Sequence, residues 1–236
     1  MDHLSRKDLK KDTFALEVGH GVEYVTTHKS QVARYGILVL VILLAAGGYY
    51  IYSTRQAAAR ELALAQTQRI NGATVGAAAA VPPNLNFATQ EEKDKALTAA
   101  YQKMAEDYRG SVEGTIAQLY LAAAKMDKGE ADAAIPMYQQ VIDNAPAPFV
   151  SVAKMALGQV LYGKGKTDEG VKLLQSVIDS PTEFVSKEEA TLTLGRLLAR
   201  AKPDEARKLL DPLVQSRTTI SSAAVEVLGT LPPKAN

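Results

Sequence analysis

The sequence predicts an all-α protein: a single transmembrane helix followed by a short solenoid of helix-turn-helix repeats. Three observations predict it. Residues 35–52 form an uncharged apolar run, the apolar residues from Thr89 onward recur at helical spacing, and the small residues Ala134, Gly170 and Ala206 return every 36 positions. Alanine is abundant and tryptophan absent, which suits closely packed helices better than sheets.

The apolar run reads YGILVLVILLAAGGYYIY, from Tyr35 to Tyr52. At 1.5 Å per residue, about 18 residues cover roughly 27 Å, close to the hydrocarbon thickness of a bilayer. Tyr35 at one end and Tyr49, Tyr50 and Tyr52 at the other stand where an aromatic belt meets the two interfaces, and Arg34 and Arg55 mark the water boundaries. The alternatives are a buried core helix and a cleaved signal peptide. A signal peptide has a short basic start and small residues after its apolar run; here 34 residues precede the run and Tyr-Tyr-Ile-Tyr closes it. The run therefore reads as one retained membrane helix. Close to it the basic residues balance, Lys29 and Arg34 against Arg55 and Arg60. Arg6, Lys7, Lys10 and Lys11 tip the count towards a cytoplasmic N-terminus, with the larger C-terminal portion exported.

The remaining segments follow from this anchor. In the tail, residues 1–34, Phe14, Val18, Val22 and Val25 draw one apolar stripe down a helix that Asp8 or Asp12 would cap. The stripe suits an amphipathic helix on the inner leaflet or a docking helix for a membrane partner. Residues 53–71 are Ala-rich and free of breakers, and read as a helical extension of the crossing segment. Residues 72–88, with Pro82-Pro83 and scattered glycines, read as an Ala/Pro/Gly linker, mobile or extended, before a repeat domain over 89–236.

The repeats rest on position-specific chemistry. Four residues after each of Ala134, Gly170 and Ala206 stands a large apolar residue, Tyr138, Leu174 or Leu210, and three further another, Val141, Val177 or Leu213. A second small series, Ala122, Gly158 and Gly195, lies 12, 12 and 11 residues upstream, each member preceded by leucine. Small residues let the helices of a hairpin approach, and large ones fill the space between hairpins. Pro146 and Pro181 close two of the units. This is the pattern of the tetratricopeptide repeat, a helix-turn-helix of about 34 residues. Three units emerge, about 112–146, 149–181 and 186–216; Ala96–Ser111 resembles the second helix of an earlier unit and Thr219–Leu231 a closing helix. The aromatic usual early in the first helix is missing, and the third unit's turn is one residue short.

A solenoid of this kind exposes a concave surface built from the first helix of each pair. Counting from the small positions places Ile116, Leu119, Ala123 and Met126 there in unit one, Val152, Met155, Gln159 and Tyr162 in unit two, and Leu192 and Arg196 in unit three. The surface is apolar and contains methionine, which adapts to varied apolar ligands. Alternatively, these side chains pack against the helix before the first repeat or the long helix after the membrane.

Composition narrows the function. Net charge is +1 with no basic stripe, which argues against a nucleic-acid partner. Cysteine is absent, which removes disulfides, thiolate metal sites and thiol nucleophiles. The histidines, His3, His20 and His28, match no metal spacing, and none follows position 28. With no catalytic set and no phosphate loop, the expectation is a protein without catalytic residues, metal or cofactor. A tail, one membrane helix running into a long helix (HKSQVARYGILVLVILLAAGGYYIYSTRQAAARELALAQ) and a few degenerate repeats resemble the YfgM-like family. The resemblance implies a bacterial inner-membrane protein, single-pass with its repeats in the periplasm. It also implies an ancillary Sec translocon subunit whose partners are translocon subunits, exported chains or periplasmic chaperones. A structural or assembly subunit of another inner-membrane or envelope complex is the alternative, and a homo-oligomer is compatible with either.

Overall fold

The computed structural model of the chain describes residues 29–76, 85–215 and 219–233. The amphipathic stripe of the tail and the three histidines lie outside the described residues. Helix α1 (Lys29–Asn71) is followed by the two-residue strands β1 (Thr74–Val75) and β2 (Asn86–Phe87). Eight more helices follow: α2 (Gln90–Asp107), α3 (Val112–Asp127), α4 (Ala131–Asn144) and α5 (Ala147–Gly163), then α6 (Thr167–Asp179), α7 (Lys187–Leu198), α8 (Pro203–Gln215) and α9 (Thr219–Gly229). Two compact units meet at the Ala59–Arg60 bond.

In the first unit, the large apolar side chains between Tyr35 and Tyr52 are each 51–73% exposed. An 18-residue window there has mean hydropathy 1.9 and nothing buried, so this helix is long and apolar enough to cross a membrane. Where the apolar run ends, Ser53 Oγ donates to Tyr50 O at 2.9 Å and Thr54 Oγ1 to Tyr50 O at 3.1 Å. The first polar side chains thus satisfy themselves on the helix's own carbonyls.

The second unit is built from helix pairs α3–α4, α5–α6 and α7–α8. Ser111 and Ser186 cap α3 and α7, accepting from Gly114 N and Glu189 N at 3.1 Å each. The first two hairpin turns need a left-handed residue, and Gly129 (φ 74°) and Gly165 (φ 83°) supply it. The periodic positions form the core. Ala122, Ala134, Gly158, Gly170, Gly195 and Ala206 are buried, as are Tyr138, Leu174, Leu210, Val141, Val177 and Leu213. A Cβ on Gly158 would lie 3.0 Å from Leu174 Cγ, and one on Gly195 would lie 2.6 Å from Leu210 Cδ2. The predicted pairing of small with large residues therefore closes the second and third hairpins.

Ahead of the repeats, Ala63, Leu64 and Ile70 of α1 pack with Leu97, Tyr101 and Met104 of α2 and Ala117 of α3. Tyr101 stacks on Tyr120 with ring centroids 3.9 Å apart. In the segment read as a linker, Thr74 and Val75 pair in parallel with Asn86 and Phe87, and Lys93 Nζ donates to Ala73 O at 2.8 Å. These bonds tie both ends of the segment to the start of the repeat unit.

Candidate protein-binding cleft

The ten residues expected on the concave surface all lie on α3, α5 and α7, the first helices of the pairs. Their environments differ. At one end Ile116 is half-buried against the cluster shared with α1 and α2. At the other Leu192 is only 7% exposed, because α9 packs on α7 and brings Ala224 and Val227 into the same core. Leu192 therefore offers a ligand little surface. Val152, Met155 and Tyr162 are half-buried against the cluster of α6 to α9, and Thr193 Oγ1 approaches Met155 Sδ at 4.0 Å. Leu119 and Met126 are half-buried against the core of α3 to α5; Ala123, Gln159 and Arg196 are exposed.

Two of the ten come together in one cleft. A space of ≈ 450 Å³ opens between α3, α4 and α5, lined by Met126, Ala131, Tyr138, Ala156 and Gln159, with Lys164 among its polar groups. Met126 stands where the next unit, 36 residues on, carries Tyr162. Tyr162 packs into the α6–α9 core, with its backbone nitrogen 2.9 Å from where a Cβ on Gly170 would stand. The walls are mainly apolar. Tyr138 is 5% exposed, and its phenol makes no hydrogen bond among the described residues. Burial first, and the negative charge of Asp127 second, push its pKa above the ordinary value, so the hydroxyl keeps its proton and can donate. Lys164 is held by Asp132 at 2.5 Å and Gln159 offers an amide. Such a cleft has room for an apolar side chain, with polar groups at hand that can hydrogen-bond a polypeptide.

Tyr138, Ala156 and Lys164 were not anticipated at the site. Its spacing predicts that Tyr138 fills space between hairpins, and it also lines the cleft. Among the described residues no three His, Cys, Asp or Glu side chains converge as metal ligands.

Stacked helix pairs with an apolar cleft where successive pairs meet define a helical-repeat interaction module. The chain belongs to the tetratricopeptide repeat-like domain family, whose pattern matches residues 29–209. The match begins at the first residue of α1, so the apolar helix lies inside the family's own span. Domains of this class mediate protein–protein interaction. No curated protein and no solved structure matches the chain.

Proposed function

We propose that this chain is a membrane-anchored interaction module without catalytic activity, accessory to the Sec translocon, whose extracytoplasmic repeats bind exported chains or chaperones. The observation that carries the reading is the coexistence of two surfaces. One is the stretch from Tyr35 to Tyr52, whose large apolar side chains are all exposed, and the other is a repeat cleft shaped for an apolar side chain. Anchoring through Gly36–Tyr52 gives the first an apolar solvent. The basic excess of the tail supports a cytoplasmic N-terminus. The link to the translocon rests on the architectural resemblance to the YfgM-like family.

Purification from membranes in mild detergent, with identification of the bound subunits, tests this. Translocon subunits or periplasmic chaperones are the expected partners; recovery of another envelope complex would favour an assembly or structural subunit. Protease added to intact spheroplasts should remove the repeat domain. Survival of that domain until lysis would reverse the orientation.

A further inference from the structure

A pair of further clefts shares no lining residue with the apolar one and follows the repeat. The first, ≈ 450 Å³, is lined by Arg109, Thr115, Gln118, Gln140, Asn144 and Ala145. The second, ≈ 480 Å³, includes Ser151, Lys154, Ser176, Ser180 and Pro181. Thr115, Gln118, Gln140, Asn144 and Ala145 recur 36 residues later as those five, in the same order. The two clefts are thus the same place in successive units, and Ala145 lines both, so they adjoin.

Their chemistry is one-sided. Each holds one cation, Arg109 or Lys154, and no carboxylate lines either. Neither cation has an ion pair or hydrogen bond among the described residues. Several hydroxyl protons are committed inward: Thr115 Oγ1 donates to Ser111 O, Ser151 Oγ to Pro148 O and Ser176 Oγ to Leu173 O. The guanidinium and the ammonium are therefore the strongest outward donors. Gln118 and Gln140, whose side-chain amides make no hydrogen bond among the described residues, add groups that match a peptide backbone. In the third unit the series ends, with Glu188 where Ser151 stands, Thr191 where Lys154 stands and Pro212 where Ser176 stands.

We propose that these two clefts form a continuous strip that binds an extended acidic segment of a partner protein, with one carboxylate received by Arg109 and another by Lys154. The strip is a second contact surface, independent of which partner the apolar cleft receives.

The test uses the full-length chain in detergent and a fluorescent oligoglutamate peptide long enough to cross both clefts, read by anisotropy. The R109Q/K154Q double variant should raise Kd by at least about tenfold, since it removes a charge-assisted contact from each cleft. Binding to the unmodified chain should weaken steeply as salt rises. The K172Q/K208Q variant removes the same charge from exposed positions outside both clefts and should leave Kd within about twofold. Circular dichroism checks that each variant keeps its helix content. Unchanged binding in R109Q/K154Q, or an equal loss in K172Q/K208Q, would overturn the proposal. So would displacement of the peptide by phosphatidylglycerol vesicles as readily as by unlabelled peptide, which would make the strip a lipid contact. Loss of apolar-peptide binding on altering Met126, with oligoglutamate binding intact, would show the two surfaces to be separate.

Discussion

Leu43 and Leu174 are the same residue in two solvents. Leu43 is 63% exposed among neighbours exposed to the same degree, whereas Leu174 is fully buried against Gly158 in a hairpin. The glycines differ in parallel. Around Gly36, Gly47 and Gly48 nothing lies within 4 Å of an added Cβ, while Gly158, Gly170 and Gly195 each face atoms at 3.1 Å or less. One region therefore puts its apolar residues outward and asks little of their shape. The other puts them inward and depends on shape at every turn. The first arrangement is stable where the surroundings are hydrocarbon, the second where they are water.

The largest break in that comparison comes from charging the outward face. Ile42→Arg with Leu43→Arg should cost about 2.5–3.5 kcal/mol each at the centre of a membrane helix and release chain from carbonate-washed membranes. A chain that stays in the pellet undiminished would count against a lipid-facing helix. Next in size, Leu174→Ala should destabilise the repeat domain by about 2–5 kcal/mol, measured as thermal unfolding of the detergent-solubilised chain. Leu43→Ala, which leaves no cavity, should hardly move the same transition.

The glycines sharpen the contrast. Gly158→Leu should cost on the order of 1–3 kcal/mol by overpacking against Leu174, with Gly36→Leu close to neutral. Gly170 leaves less room still, since a Cβ there would lie 2.5 Å from Gly158 O, a backbone atom that cannot swing aside. An unchanged melting temperature for Gly158→Leu would mean that the small positions do not set the hairpin spacing.

A smaller effect is expected with pH. Burial raises the pKa of Tyr101, Tyr120 and Tyr138 above the ordinary 10.0. The folded state holds these protons more tightly than the unfolded chain does. The stability they contribute is full below pH 10 and should fall as pH rises past it. Tyr138→Phe should reduce that alkaline loss, as read from unfolding midpoints across the range.

The repeat register was legible because close approach between helices admits few residue types. Gly158 and Gly195 have little room for more, and their partners Leu174 and Leu210 are large, so geometry writes itself into a period. The turn glycines Gly129 and Gly165, also 36 residues apart, were a further readable sign. The apolar cleft was only half legible. Met126 and Gln159 follow from helical counting, but Ala156 and Lys164 join them through the angle between hairpins, which no local spacing records. Leu192 carried the groove's periodic position yet is covered by α9, a tertiary contact made by a helix some thirty residues further along. The pairing of Thr74–Val75 with Asn86–Phe87 had no local signature either, because two residues are too few to show alternation.

Photo-crosslinking in intact cells tests the contrast between the two regions most directly, with a benzophenone side chain placed at residue 42 in one variant and residue 126 in another. The account predicts lipid adducts from position 42 and discrete protein adducts from position 126, the latter competed by excess apolar peptide in detergent extracts. Exclusive protein adducts at position 42, or no protein adduct at position 126, would contradict it.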